Sequence, residues 1–252
     1  METILITGAT SGIGEACARR LVSKNRKLIL TGRRLDRLEK LSEELLPLSA
    51  GIYIHSFDVR NRNEVISFVE SIPAGFRNVR VLLNNAGLAS GLDPLQTGDP
   101  DDWDKMIDTN VKGLLYMSRY SIELLRGNEG AQIINIGSIA GKEVYPNGNV
   151  YCSTKHAVDA LTRSMRMDLL PLGIRVSSVC PGLVETEFSI VRFHGDAEKA
   201  SQVYKGFEPL TGEDIADAVQ YMVEAPFRIN VADILILPAA QASSRDVTRN
   251  SG

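Results

Sequence analysis

Thr7-Gly8-Ala9-Thr10-Ser11-Gly12-Ile13-Gly14, placed directly after the apolar run Ile4-Leu5-Ile6, reads as a buried strand ending in a glycine-rich turn that opens a helix. Each glycine has a separate use: a tight turn, close approach of a phosphate to the backbone, and close packing of helix on strand. The amides at the start of such a helix have no intrahelical acceptor and face outward, so they suit an anion. Three glycines in a turn are also compatible with a purely structural bend. Their position at the first strand of the chain favours a nucleotide site.

The rest of the chain repeats that unit. Short β-branched runs near Ile4, Leu28 to Thr31, Ile52 to Phe57, Val81 to Asn84, Gln132 to Ile136, Arg175 to Val179 and Ile234 to Leu237 alternate with longer amphipathic stretches. Seven strands with intervening helices predict an α/β fold, a Rossmann-like doubly wound parallel sheet in a single domain over residues 1–252. Ligands of such sheets lie beyond the carboxyl ends of the strands, near the point where strand order reverses. Gly8, Arg33, Asp58, Asn85, Ser138 and Pro181 each follow one of the first six strands, which collects them at that end. A helix is expected from about Asn149 to near Pro171, and another from Asp101 to Arg126, relaxed near Gly113.

Composition excludes several classes. A net charge of −3 gives no electrostatic footprint for nucleic acid or an anionic membrane. Three scattered cysteines, Cys17, Cys152 and Cys180, supply neither a disulfide framework nor a zinc cluster, so no metal is expected and a reduced compartment is. The chain shows neither a secretory leader nor an apolar run long enough to span a bilayer, which points to a cytoplasmic protein.

Tyr151 and Lys155, four residues apart, share a helix face, with Ser138 upstream. A phenol with a pKa of about 10 is a weak base at neutral pH, and an adjacent ammonium is expected to lower that value. Alone, the pair is compatible with an ordinary helix surface; together with the glycine turn it suggests proton transfer at a substrate hydroxyl.

Taken in order, Thr7-Gly8-x-x-x-Gly12-x-Gly14, Asn84-Asn85-Ala86-Gly87, Asn110, Ser138, Tyr151-x-x-x-Lys155 and Pro181-Gly182 resemble the short-chain dehydrogenases/reductases over essentially the whole chain. The resemblance implies a nicotinamide cofactor, hydride exchange between an alcohol and a carbonyl, and a homotetramer or dimer. It implies Tyr151 as acid/base, Lys155 on the nicotinamide ribose, Ser138 on the substrate oxygen and Asn110 in a proton relay. For the cofactor it implies contacts from Gly8, Thr10, Ser11, Gly12, Ile13 and Gly14, from Asp58 and Val59 at the adenine, and from Asn85, Ala86, Gly87, Pro181, Gly182 and Val184. Arg33-Arg34 stands where a ribose-binding acid would serve NAD, so NADP is expected instead, while Asp36 suits the first turn of a helix.

Within that family, Thr31-Gly32-Arg33-Arg34, Asp58-Val59-Arg60-Asn61-Arg62, the run from Trp103 to Asn110, and Gly182-Leu183-Val184 with Thr186-Glu187-Phe188 and Val191-Arg192-Phe193 resemble the NADP-dependent 3-hydroxy acid dehydrogenases. That subgroup also includes serine and allo-threonine dehydrogenases and malonic semialdehyde reductases. Between Pro181 and Phe193 the chain is one residue shorter than the subgroup's pattern, which leaves the substrate's identity open. A ketoacyl or general carbonyl reductase, and a cofactor-sensing binding protein, are the competing readings. Residues 186–212 are expected to form a substrate lid. Arg192 there is a candidate for a substrate carboxylate, and His194 and Lys142 would favour a small charged substrate if they reached the cleft. The polar stretch Ser243 to Gly252 is expected to be loose or to dock on a neighbouring subunit.

Overall fold

The computed structural model describes residues 2–250. Strands β1 (Glu2–Thr7), β2 (Arg26–Gly32), β3 (Gly51–Ser56), β4 (Val79–Asn84), β5 (Gln132–Ile136), β6 (Arg175–Pro181) and β7 (Asp233–Ile236) form one sheet in the order β3-β2-β1-β4-β5-β6-β7. Every pairing is parallel. The helices are α1 (Gly12–Leu21), α2 (Leu35–Leu45), α3 (Arg62–Ser71), α4 (Pro100–Ile107), α5 (Leu114–Leu125), α6 (Asn149–Asp168), α7 (Phe188–Arg192), α8 (Ala197–Gln202) and α9 (Gly212–Glu224). Asp36 lies in the first turn of α2, as its sequence context suggests.

The period of two along a strand divides the core into two layers. On β1, Ile4 and Ile6 join Leu28, Leu30 and Val81 against α1 and α9, whereas Leu5 joins Ile29, Leu82 and Ile133 against α3 and α5. Both sets are fully buried, which is why these strands read as unbroken apolar runs rather than as alternation. Burial of each such side chain contributes roughly 1.5–3 kcal/mol. Helix α9 comes so close to α1 that a Cβ on Gly212 would lie 3.1 Å from Ala16 Cβ.

The chain leaves β1 for β2 and β3 on one side, then returns to place β4 on the other, so strand order reverses between β1 and β4. The relaxation expected near Gly113 is a π-helical turn, Asp108–Gly113, set between α4 and α5 with Asn110 inside it. A Cβ on Gly113 would lie 2.7 Å from Val59 Cγ2, so the turn is also a close-packing point.

Residues 186–212 contain α7 and α8 rather than a structureless loop. Where it is described, the tail is bonded to its own chain rather than loose. Ser244 N donates to Glu143 Oε2 at 2.8 Å and Asn250 N to Gly206 O at 2.7 Å, so the tail straps the far end of segment 186–212. Ser251 and Gly252 lie outside the described residues.

Candidate active site

A cleft of ≈ 350 Å³ opens along the carboxyl ends of the strands. Its floor is the glycine turn, held from the other side of the strand reversal. Asn85 Nδ2 donates to Thr7 O at 2.9 Å and Gly8 O at 3.0 Å, and Thr7 Oγ1 accepts from the amides of Asn85 and Ala86 at 3.0 Å each. Gly8 has φ +67, and a Cβ there would meet Asn85 Nδ2 at 2.9 Å. Gly14 faces inward, where a Cβ would strike Gly8 O and Asn85 Nδ2, so it packs the turn and does not line the cleft. Gly12 (φ +54) faces the cleft and Thr186.

The N-terminus of α1 fits a pyrophosphate: Ser11 precedes it without capping it, so the first amides remain directed at the cleft. Arg33 is exposed and forms no side-chain hydrogen bond or ion pair among the described residues. Arg34 Nη2 donates to Thr10 Oγ1 at 3.1 Å and Ser11 Oγ at 2.7 Å, holding a guanidinium beside the turn. Asp58 and Val59 line the same end. Burial raises the Asp58 carboxyl, but hydrogen bonds from Arg60 outweigh it and leave the group below its ordinary value. The donor set at this end therefore suits a dinucleotide with an additional phosphate on its adenosine ribose.

At the opposite end, Ser138, Tyr151 and Lys155 line the cleft together. Ser138 caps the short turn after β5, accepting from Ala140 N at 3.0 Å and donating to Pro181 O at 3.5 Å, and lies close enough to Tyr151 to oppose the rise of its phenol. Lys155 is buried and donates to Ile136 O at 2.9 Å. Burial lowers its pKa to about 8. Burial also pushes the Tyr151 phenol above its ordinary value; Tyr145 adds to the rise, while Ser138 and Arg192 only oppose it. Lys155 is not among the groups that oppose this rise. The ammonium donates to Ile136 O and stands 5.9 Å from the Tyr151 ring centroid.

Asn110 stands behind the cleft rather than on it. Its Nδ2 donates to Leu88 O at 2.8 Å and Thr154 Oγ1 at 3.1 Å, and its Oδ1 accepts from Leu88 N at 2.8 Å. A Cβ on Gly87 would lie 3.2 Å from Asn110 Oδ1 and 3.7 Å from Lys155 Nζ, so the two side chains converge on one point of the wall.

Helix α7 lies against Tyr151. Phe188 meets its ring edge-on at 5.7 Å, and the Arg192 guanidinium is 5.6 Å from its centroid and 5.5 Å from that of Tyr145. Arg192 Nε donates to Gly91 O at 3.3 Å, while one terminal nitrogen is buried with no partner among the described residues. His194 and Lys142 do not line the cleft. His194 is exposed and pairs with Asp102 at 3.0 Å, and Lys142 is held by Asp159 at 2.6 Å and by Asp233.

Pro181, Gly182 and Val184 line the cleft, and so do Ile13, Ala86 and Gly87. Among the neighbours of the site that escaped sequence reasoning are Tyr145, whose ring faces Arg192, and Glu187, which binds Arg34. Tyr145 is six residues before Tyr151 in a turn with no periodicity, and Glu187 reaches a residue 153 positions away. Among the described residues no His, Cys, Asp or Glu cluster could hold a metal ion, and no helix is long and apolar enough to cross a membrane.

A family model described as short chain dehydrogenase matches residues 2–196. The chain is 44% identical over 240 residues to the NADP-dependent 3-hydroxy acid dehydrogenase YdfG of Salmonella typhi, covering 95% of this chain and 96% of that one. It is 42% identical over 246 residues to sulfoacetaldehyde reductase 2 of Chromohalobacter salexigens, covering 96% of each. Its fold matches a closed form of serine dehydrogenase complexed with NADP+ at a TM-score of 0.92 and 40% identity, over 99% of this chain and 100% of that one.

Proposed function

The chain belongs to the short chain dehydrogenase family, and from that premise we propose an NADP(H)-dependent oxidoreductase that interconverts a short 3-hydroxy acid with its semialdehyde or ketone. The bound nicotinamide supplies or accepts the hydride. The uncapped start of α1 and the turn from Gly8 to Ile13 would hold the pyrophosphate, Arg33 and Arg34 the adenosine phosphate, and Lys155 the nicotinamide ribose.

Tyr151 carries its proton throughout the neutral range because burial raises the phenol. It is therefore set to donate to a carbonyl oxygen during reduction, with Ser138 as second hydrogen-bonding group on that oxygen. Oxidation of the alcohol runs the same path backwards and needs the phenolate, so it is favoured as pH rises. Asn110 holds the Leu88 backbone and Thr154 beside Lys155, which makes it a positioning residue for the proton path.

The substrate class rests on one observation: the buried, unpartnered nitrogen of Arg192 beside Tyr151. A guanidinium there binds an anionic group a short distance from the reacting carbon, and a neutral substrate would leave the nitrogen unsatisfied. Two relatives named for a hydroxy acid and for sulfoacetaldehyde support the choice, since each substrate carries an acidic group. Residues 186–212 would act as the lid, with Phe188 and Arg192 as its contacts with the reacting end. A cytoplasmic homotetramer completes the proposal.

The test is a screen with NADPH over small semialdehydes and keto acids beside neutral aldehydes, with NADP+ over serine, allo-threonine and 3-hydroxypropionate. Higher kcat/KM for the anionic members with NADP(H) is expected. A preference for neutral or long-chain carbonyls would replace this reading with a general carbonyl or ketoacyl reductase.

A further inference from the structure

Glu187 stands where segment 186–212 meets the adenosine end of the cleft. Its carboxylate is shared: Oε2 accepts from Arg34 Nη1 at 2.9 Å and Oε1 from Arg37 Nη1 at 2.7 Å. Hydrogen bonds from Arg34 and then Arg37 keep the group below the usual carboxylate range, so it is an anion at neutral pH. Arg34 is meanwhile donating to Thr10 and Ser11 of the glycine turn. Of the three arginines in Arg33-Arg34-Leu35-Asp36-Arg37, two are thus engaged by one carboxylate from a segment 150 residues further along, and only Arg33 is free of an ion pair among the described residues.

An incoming phosphate and Glu187 seek the same donors. Glu187 takes one of the two N–H groups of Arg34 Nη1 and neutralises charge that a phosphate would otherwise meet, and the two anions repel at that range. Resting on the reading that the cofactor is NADP(H), we propose that Glu187 is an internal counter-ion that competes with the cofactor's adenosine phosphate for Arg34 and Arg37. Phosphate binding then releases the Glu187 tether at the start of α7, so that occupation of one end of the cleft frees the segment carrying Phe188 and Arg192 at the other. The arrangement makes Glu187 a specificity residue: it lowers the affinity of the phosphorylated cofactor and leaves the unphosphorylated one nearly untouched.

The experiment measures binding rather than turnover. Adenosine 2′,5′-bisphosphate and adenosine 5′-monophosphate are titrated calorimetrically into the wild type, Glu187→Gln and Glu187→Ala. Glu187 is on the surface, so both variants should fold. The expected result is bisphosphate binding tightened by roughly three- to tenfold in both variants, the scale of one or two half-exposed ion pairs, with the monophosphate changed less than twofold. Unchanged or weakened bisphosphate binding would overturn the proposal, since the carboxylate would then be neutral or helpful to the phosphate. Equal tightening of both nucleotides would overturn it too, reducing Glu187 to a general charge effect. A wild type that binds the two nucleotides equally would instead bring down the NADP(H) reading itself.

Discussion

The two ends of the cleft are held by different forces. At the glycine turn, Thr7 is buried, Asn85 and Thr7 spend their polar atoms on the backbone of β1 and of the turn after β4, and Gly14 leaves no space for a side chain. At the Tyr151 end the wall is α7, a five-residue helix joined to the body by Arg192, which donates to Gly91 O and accepts from Gly91 N, and flanked by Glu187 on Arg34, His194 on Asp102 and the tail on Gly206. An exposed ion pair contributes about 0–1 kcal/mol, far less than a buried and fully bonded turn. The rigid end suits a ligand that never changes, and the lightly tied end suits closure over one that does.

The largest effect should come from breaking the reacting end alone. Tyr151→Phe keeps the ring that Phe188 packs against but removes the proton, so kcat should fall by about 10²- to 10⁴-fold while cofactor affinity, measured by fluorescence titration, stays within a factor of two or so. Retained turnover would remove Tyr151 from its role. At the other end, Arg33→Asp should shift the NADPH to NADH ratio of kcat/KM by roughly ten- to a hundredfold toward NADH, because the carboxylate repels a phosphate and accepts from a ribose hydroxyl. An unmoved ratio would hand the phosphate to Arg34 and Arg37.

Lys155 lies at the reacting end, and its two expected effects have opposite signs. Lys155→Met should weaken cofactor binding and turnover, yet stabilise the fold at pH 7 by about 1–3 kcal/mol, because burial depresses the ammonium from 10.5 to about 8. Between those values the unfolded chain holds a proton that the folded one has lost, so wild-type stability rises with pH through the window and the advantage of the methionine fades toward pH 10.5. Denaturant unfolding at pH 7 and pH 10 measures it. A variant less stable than wild type at both would show that the bond to Ile136 outweighs the desolvation.

What could be read in advance follows the same division. All seven strands and the glycine turn were legible because strand burial and turn geometry are written in adjacent residues, and the relaxed helix near Gly113 was legible from the glycine. The surroundings of Lys155 were not legible: a spacing of four places it on the face of Tyr151, but only the packed structure shows its ammonium bonded to Ile136 and the phenol buried. Glu187 and Tyr145 were invisible because their partners are fixed by the closure of the sheet, not by neighbours in sequence. Lys142 and His194 looked available to substrate for want of the same information, which places Asp159, Asp233 and Asp102 in their way.

The most direct measurement is kcat/KM of Arg192→Met on a 3-hydroxy acid and on a neutral alcohol of similar size, both at saturating NADP+. With Arg192 as the partner of the acidic group, the hydroxy acid should lose about 1.5–3 kcal/mol of transition-state binding and the alcohol little. Equal losses on both substrates, or none on either, would contradict recognition of the anion by the unpartnered guanidinium nitrogen beside Tyr151.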